Sequence, residues 1–215
     1  MRRRSLLAAL GTTAALAGCL GEGARSPAAE NGNEENGDES TPDEDRIRDR
    51  FNGEPTRPEC EQDSETITVE RGDETQEKET VATIPYPDAP SSFSDENIVE
   101  YVESFEAAYV RHDALCGSSD DIIGFAYNVD ERKTLDWDGE TTVVYLYYAG
   151  GATGGVDEDG NEWAADLGFR GLVYGVDETG AARVDVDGSQ GRAPDELAVQ
   201  LPGLLDDGEF VVTFE

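Results

Sequence analysis

From Leu20 to about Arg57 this chain has almost nothing to bury. The stretch is rich in Gly, Glu, Asn, Asp, Pro and Ser, and Asn31-Gly-Asn-Glu-Glu-Asn-Gly-Asp-Glu-Ser40 holds no apolar side chain. A segment with few apolar groups and many charges cannot offset its ordering entropy, so residues 19–57 are expected to form a disordered, self-repelling acidic linker. Ile47 and Phe51 are the only large apolar residues in its second half, too few to expect a stable helix there. Folding is thereby confined to residues 58–215, a length suited to one domain.

Ahead of the linker, Arg2, Arg3 and Arg4 precede an apolar run from Leu6 to Leu16, interrupted by Gly11, Thr12 and Thr13 and followed by the small pair Ala17-Gly18. A positive start, an apolar middle and small residues at the end are the parts of an export signal, here residues 1–18. The run falls short of the roughly 20 apolar residues a bilayer span needs. Arg3-Arg4-Ser5-Leu6-Leu7 resembles the twin-arginine export motif, and Leu16-Ala17-Gly18-Cys19 resembles the lipobox of lipoproteins. Those resemblances imply cleavage before Cys19 and lipid on its sulfur. The mature protein would then sit at the extracytoplasmic face of the cell membrane, with the membrane itself as partner. The alternative is an ordinary secretory signal with an accidental cysteine.

Charge points to the same surroundings. The chain has 49 acidic and 16 basic residues, a net charge of −33, and loss of Arg2, Arg3 and Arg4 with the signal would take it to −36. Such a field excludes nucleic acid as a partner. Its self-repulsion destabilises a compact domain in low salt, whereas molar salt shortens the screening length to about 3 Å. Lysine occurs only at Lys78 and Lys133. This excess of Asp and Glu with scarce lysine resembles the exported proteins of halophilic archaea. The acidity is therefore read as a salt-adapted surface.

Within the domain, Glu65–Glu70 alternates Ile67 and Val69 with polar residues, as a first strand does. A proline-stiffened connector, Ile84–Pro90, follows. The clearest helix then starts at the N-cap candidate Ser94, with Asp95 and Glu96 at the positive end of its dipole. Ile98, Tyr101, Val102, Phe105, Ala108 and Tyr109 recur at helical spacing, opposite a face carrying Glu100, Glu103 and Glu106. This stripe is expected to pack on a sheet, and Gly117 to close the helix in a left-handed C-cap.

Strands are expected at residues 122–129, with Ile123, Phe125 and Tyr127 on one face, and at 141–148, 169–176, 181–186 and 209–214. Asp138-Gly139, Asp159-Gly160 and Glu178-Thr179-Gly180 supply hairpin turns. A short helix over Pro194–Leu201 is expected to be broken by Pro202. The class is α+β, one main helix on a curved antiparallel sheet of four to six strands. In element order this resembles cystatin-like or nuclear-transport-factor-like folds.

Chemistry-bearing residues are few. With Cys19 assigned to lipid, Cys60 and Cys116 form an even pair in an exported chain, and a disulfide is the simplest expectation. The sharper alternative is an activated thiol, because His112 and Cys116 share a helical face. His112 is the sole histidine and Met1 the sole methionine, which starves blue-copper and zinc sites of ligands. Neither a Walker loop nor a Gly-x-Ser-x-Gly turn is present. No catalytic residue, cofactor or metal ligand is therefore assigned.

Two weaker patterns remain. Asp136-Trp-Asp-Gly139, Asp157-Glu-Asp-Gly160 and Asp185-Val-Asp-Gly188 resemble parts of calcium loops, but none reaches a bidentate Glu, and hairpin turns account for them. Tyr127, Tyr145, Tyr147 and Tyr174 lie on neighbouring strands, where a partly uncovered concave sheet would give a pocket; ordinary core packing is the alternative. The reading that follows is a non-enzymatic binding or interaction module of unstated ligand. An extracytoplasmic enzyme, or a transport or secretion accessory factor with a pocket on the sheet, is the alternative.

Overall fold

The helix that the apolar stripe predicts runs from Asp95 to Cys116 in the computed structural model, which describes residues 46–137, 139–186, Leu197 and 201–214. The signal, Arg3, Arg4, Cys19 and linker residues up to 45 lie outside the described residues. The chain order is α1 (Ile47–Arg50), β1 (Thr66–Arg71), β2 (Glu74–Glu79), α2 (Asp95–Cys116), β3 (Asp121–Leu135), β4 (Thr142–Val156), β5 (Glu162–Ala164), β6 (Phe169–Asp177), β7 (Gly180–Val186), α3 (Leu201–Asp206) and β8 (Glu209–Thr213). β1 and β2 form a separate hairpin, while the main sheet has the order β3-β4-β6-β7-β8 with β5 beside β4, all antiparallel. The class is α+β, with the sheet curled around α2.

Short turns join β3 to β4, β4 to β5 and β6 to β7, as the hairpin signals predict, whereas β5 intervenes between the neighbours β4 and β6, and residues 187–208, with α3 among them, separate β7 from β8. Gly139 and Gly160 adopt positive φ, 108° and 83°, in the turns before β4 and β5. β3 and β4 outrun the apolar stretches that mark them, because Gly150, Gly151, Gly154 and Gly155 continue β4 as a pairing strand with no side chains of their own. A Cβ on Gly155 would stand 2.6 Å from the Trp163 ring, which occupies that space.

Two apolar layers enclose the sheet. Val144, Leu146, Tyr148, Leu172 and Tyr174 face α2, meeting Ile98, Val102 and Phe105. Val143, Tyr145 and Val173 face the other way, under Leu197, Leu201 and Leu205. β4 and β6 are thus buried on both faces, which explains their near-continuous apolar sequence.

The domain begins earlier than composition suggests. Within residues 46–57, assigned to the linker, Ile47 and Phe51 pack with Ala182 and Phe210 on the sheet face opposite α2, while Arg57 reaches the Phe105 ring on the α2 side: Ile47 is 0 % exposed, and its N–H donates to Asp177 Oδ2 at 2.6 Å. Arg48 N–H donates to Thr179 Oγ1, Phe51 stacks on Phe210, and Thr56 N–H donates to the Phe210 carbonyl. Gly175 leaves Ile47 its seat; a Cβ there would stand 3.0 Å from Ile47 Cδ1.

Several local expectations also change. Ser94 is the N-cap of α2, but its side chain makes no cap hydrogen bond, and Gly117 closes the helix in a right-handed conformation with φ −107°. Ile122 rather than Ile123 is buried, since β-bulges around Gly124 reset the alternation. The helix expected over 194–201 lies, apart from Leu197 and Leu201, outside the described residues; the helix described after β7 is Leu201–Asp206, with Pro202 in its first turn. Glu106, placed by periodicity on the polar face of α2, is completely buried.

Candidate functional site

Cys116 ends α2, and His112 stands one turn earlier on the same helix. Cys60 precedes β1, and its sulfur is bonded to that of Cys116, with the two Cα atoms 5.6 Å apart. The bond closes a loop of sequence separation 56, which contributes about 4 kcal/mol in the chain-entropy account. It also removes the activated-thiol alternative for Cys116.

His112 is buried against this bond. Its Nε2–H donates to the Ile84 carbonyl at 2.8 Å, and Nδ1 accepts the Cys60 N–H at 3.4 Å. A carbonyl can only accept, so the ring is protonated on Nε2 and carries its lone pair on Nδ1. Cys116 Sγ lies 3.7 Å from that nitrogen. The three donor atoms of Cys60, His112 and Cys116 fall within 4.8 Å of one another. Tyr86, from the connector before α2, stacks on the imidazole at 4.8 Å and is itself covered by Arg57 at 4.1 Å. Sequence reading missed this trio as a ligand set because Cys60 is remote from the His112-Cys116 helical pair.

A second polar cluster lies deeper, between α2 and the sheet. Arg183 on β7 donates to Glu106 from Nε and Nη2, both at 3.0 Å, and Tyr174 O–H donates to Glu106 Oε2 at 2.7 Å. Arg183 Nη1 donates to Asp185 at 2.8 Å, and the guanidinium lies 4.3 Å from the Tyr109 ring centre. Burial works against the Arg183 charge, but Glu106 more than reverses this and holds its pKa above the ordinary value. Burial, reinforced by Glu106, raises the Tyr174 hydroxyl well above its usual range. The signal for this pair is not local: its members are 77 residues apart.

The four tyrosines do not converge. Val144 pairs with Tyr174 and Tyr145 with Val173, and directly opposed residues share a face. Tyr174 and Tyr127 therefore pack in the α2 layer, while Tyr145 and Tyr147 belong to the opposite one. The proposed pocket is replaced by two packed layers. Open clefts lie elsewhere: one of about 480 Å³ involves Arg48, Arg57 and Glu59, and one of about 440 Å³ involves Arg183, Asp185 and Glu209.

In the Asp157–Gly160 pattern, the Asp157 carboxylate accepts from Asp159 N–H, Asn161 N–H and Asn161 Nδ2, closing its own turn. The hydrogen bonds from Asn161 lower its pKa. Asp138, Asp187 and Gly188 of the other two patterns lie outside the described residues. No family model matches the chain, and no curated protein or solved structure does either. Among the described residues no helix is long and apolar enough to cross a membrane.

Proposed function

We propose that this is a lipid-anchored, salt-adapted cell-surface protein whose folded domain is a non-enzymatic binding or interaction module. The observation that carries the reading is the Cys60–Cys116 disulfide. Such bonds persist in oxidising compartments outside the cytoplasm. Of the three cysteines in the sequence it leaves only Cys19, which stands where the lipobox resemblance needs it. The charge of −33 fits a surface that works in concentrated salt.

The side chains best suited to catalysis are engaged in structure, which favours a module over an enzyme. Glu106 is held by Arg183 and Tyr174, and both nitrogens of His112 are occupied. The enzyme or accessory-factor alternative needs a pocket on the concave face, where α2 packs against Tyr127, Tyr148 and Tyr174.

The test is Cys19→Ser in the full chain, followed by membrane fractionation and mass analysis. Release to the medium, or accumulation of the uncut precursor, is expected. A variant that stayed membrane-bound and normally processed would refute the anchor.

A further inference from the structure

We propose that reduction of the Cys60–Cys116 bond creates a three-ligand site for a thiophilic divalent cation of the zinc class. The ligands are the two sulfurs and His112 Nδ1. Thiolate sulfur with imidazole nitrogen is the donor set that selects such cations over calcium or magnesium.

The imidazole is already arranged for this. Its Nε2–H is fixed on the Ile84 carbonyl at 2.8 Å, the outer hydrogen bond that orients most metal-bound histidines. The opposite nitrogen therefore presents its lone pair toward the sulfurs. Tetrahedral zinc, with bonds of about 2.3 Å to sulfur and 2.05 Å to nitrogen, requires S···N of about 3.6 Å and S···S of about 3.8 Å. The Cys116 Sγ to Nδ1 separation is 3.7 Å without any movement. The sulfurs must part, and with Cα atoms 5.6 Å apart side-chain rotation is enough. The 3.4 Å contact from Cys60 N–H to Nδ1 is the one interaction the metal displaces.

The chemistry balances simply. A thiol or phosphine reductant supplies two electrons and solvent two protons, and the S–S bond becomes two thiols. The cation then displaces both thiol protons, forms two sulfur bonds, and accepts the Nδ1 lone pair. Water completes the fourth position. A chain made in a thiol-reducing cytoplasm passes through the dithiol state before export. The timing rests on the export reading, whereas the binding does not.

The experiment uses the full chain carrying Cys19→Ser, so that its thiols are Cys60 and Cys116, with Co²⁺ as the probe in molar salt. After anaerobic phosphine reduction, one Co²⁺ per chain is expected, with a thiolate-to-cobalt charge-transfer band that the oxidised chain lacks. Cys60→Ser should remove that band, and His112→Ala should weaken cobalt binding about tenfold or more. Circular dichroism follows folding in parallel: refolding of a reduced chain on adding Co²⁺ supports the site. Equal uptake by oxidised and reduced chains would overturn the proposal. So would unchanged affinity in His112→Ala, or a reduced chain, folded or not, that takes up no cobalt. Because the assay is done in solution, it is independent of whether Cys19 carries lipid.

Discussion

Replacing Arg183 by Met should be among the costliest single changes in the described fold. The substitution keeps most of the side chain's length but leaves Glu106, 0 % exposed, without its guanidinium partner, Tyr174 O–H still donating to it. Two charge-assisted bonds at 3.0 Å are lost together. Breaking a buried ion pair from one side costs about 3–5 kcal/mol, which for a domain of this size lowers Tm by about 6–20 °C. Glu106→Gln should cost less, about 1–3 kcal/mol. In that variant Arg183 keeps Asp185 at 2.8 Å and the face of Tyr109 at 4.3 Å. Combining Arg183→Met with Glu106→Leu should recover part of the Arg183→Met loss, because no unpaired charge then remains inside. The assay is urea unfolding in molar salt, followed by tryptophan fluorescence; a buried pair is screened little, so salt should not erase the difference. The reasoning fails if Arg183→Met stays within about 1 kcal/mol of the parent, or if Glu106→Gln proves the more damaging change.

Alkaline pH should unfold the domain through its tyrosines. Burial raises Tyr109 to about 12, and pushes Tyr86, Tyr101, Tyr127, Tyr148 and Tyr174 higher still. A folded pKa above the unfolded value of about 10 means the unfolded state binds fewer protons between them. This stabilisation is complete below pH about 10 and is lost as pH rises toward the folded values. Absorbance at the phenolate band should thus rise together with loss of structure; a smooth titration near pH 10 in a still-folded protein would contradict it. At the start of the domain, Ile47→Ala should cost about 2–5 kcal/mol locally. Limited proteolysis would then cut within residues 46–57 faster than in the parent, and an unchanged cleavage rate would show that Ile47 does not hold this segment.

What the sequence discloses here is set by the range of the interactions involved. Helix α2, strands β1, β3, β4, β6, β7 and β8, and the hairpin order are written in local periodicity and turn residues, and each was legible. β2, Glu-Thr-Gln-Glu-Lys-Glu over residues 74–79, has no apolar side chain and is a strand only because β1 pairs with it. Alternation separated Tyr145 and Tyr147 from Tyr148 correctly, but could not relate them to Tyr174, whose face depends on the β4–β6 register. The disulfide followed from parity once Cys19 was set aside. Glu106 is the opposite case: nothing near it announces Arg183, so helical spacing placed it in water.

The segment at residues 46–57 and the disulfide just after it together determine how the domain bears a load. Tension applied at Arg46 would peel the chain from the edge of Asp177 and Thr179, one weak contact at a time. Peeling stops at Cys60, where the force passes through a covalent bond into the end of α2. The slack released before that point is about 50 Å of extended chain. Pulled from its N-terminal side, the molecule lengthens by a fixed amount and keeps its sheet intact, behaving as a short extensible leash with a hard stop.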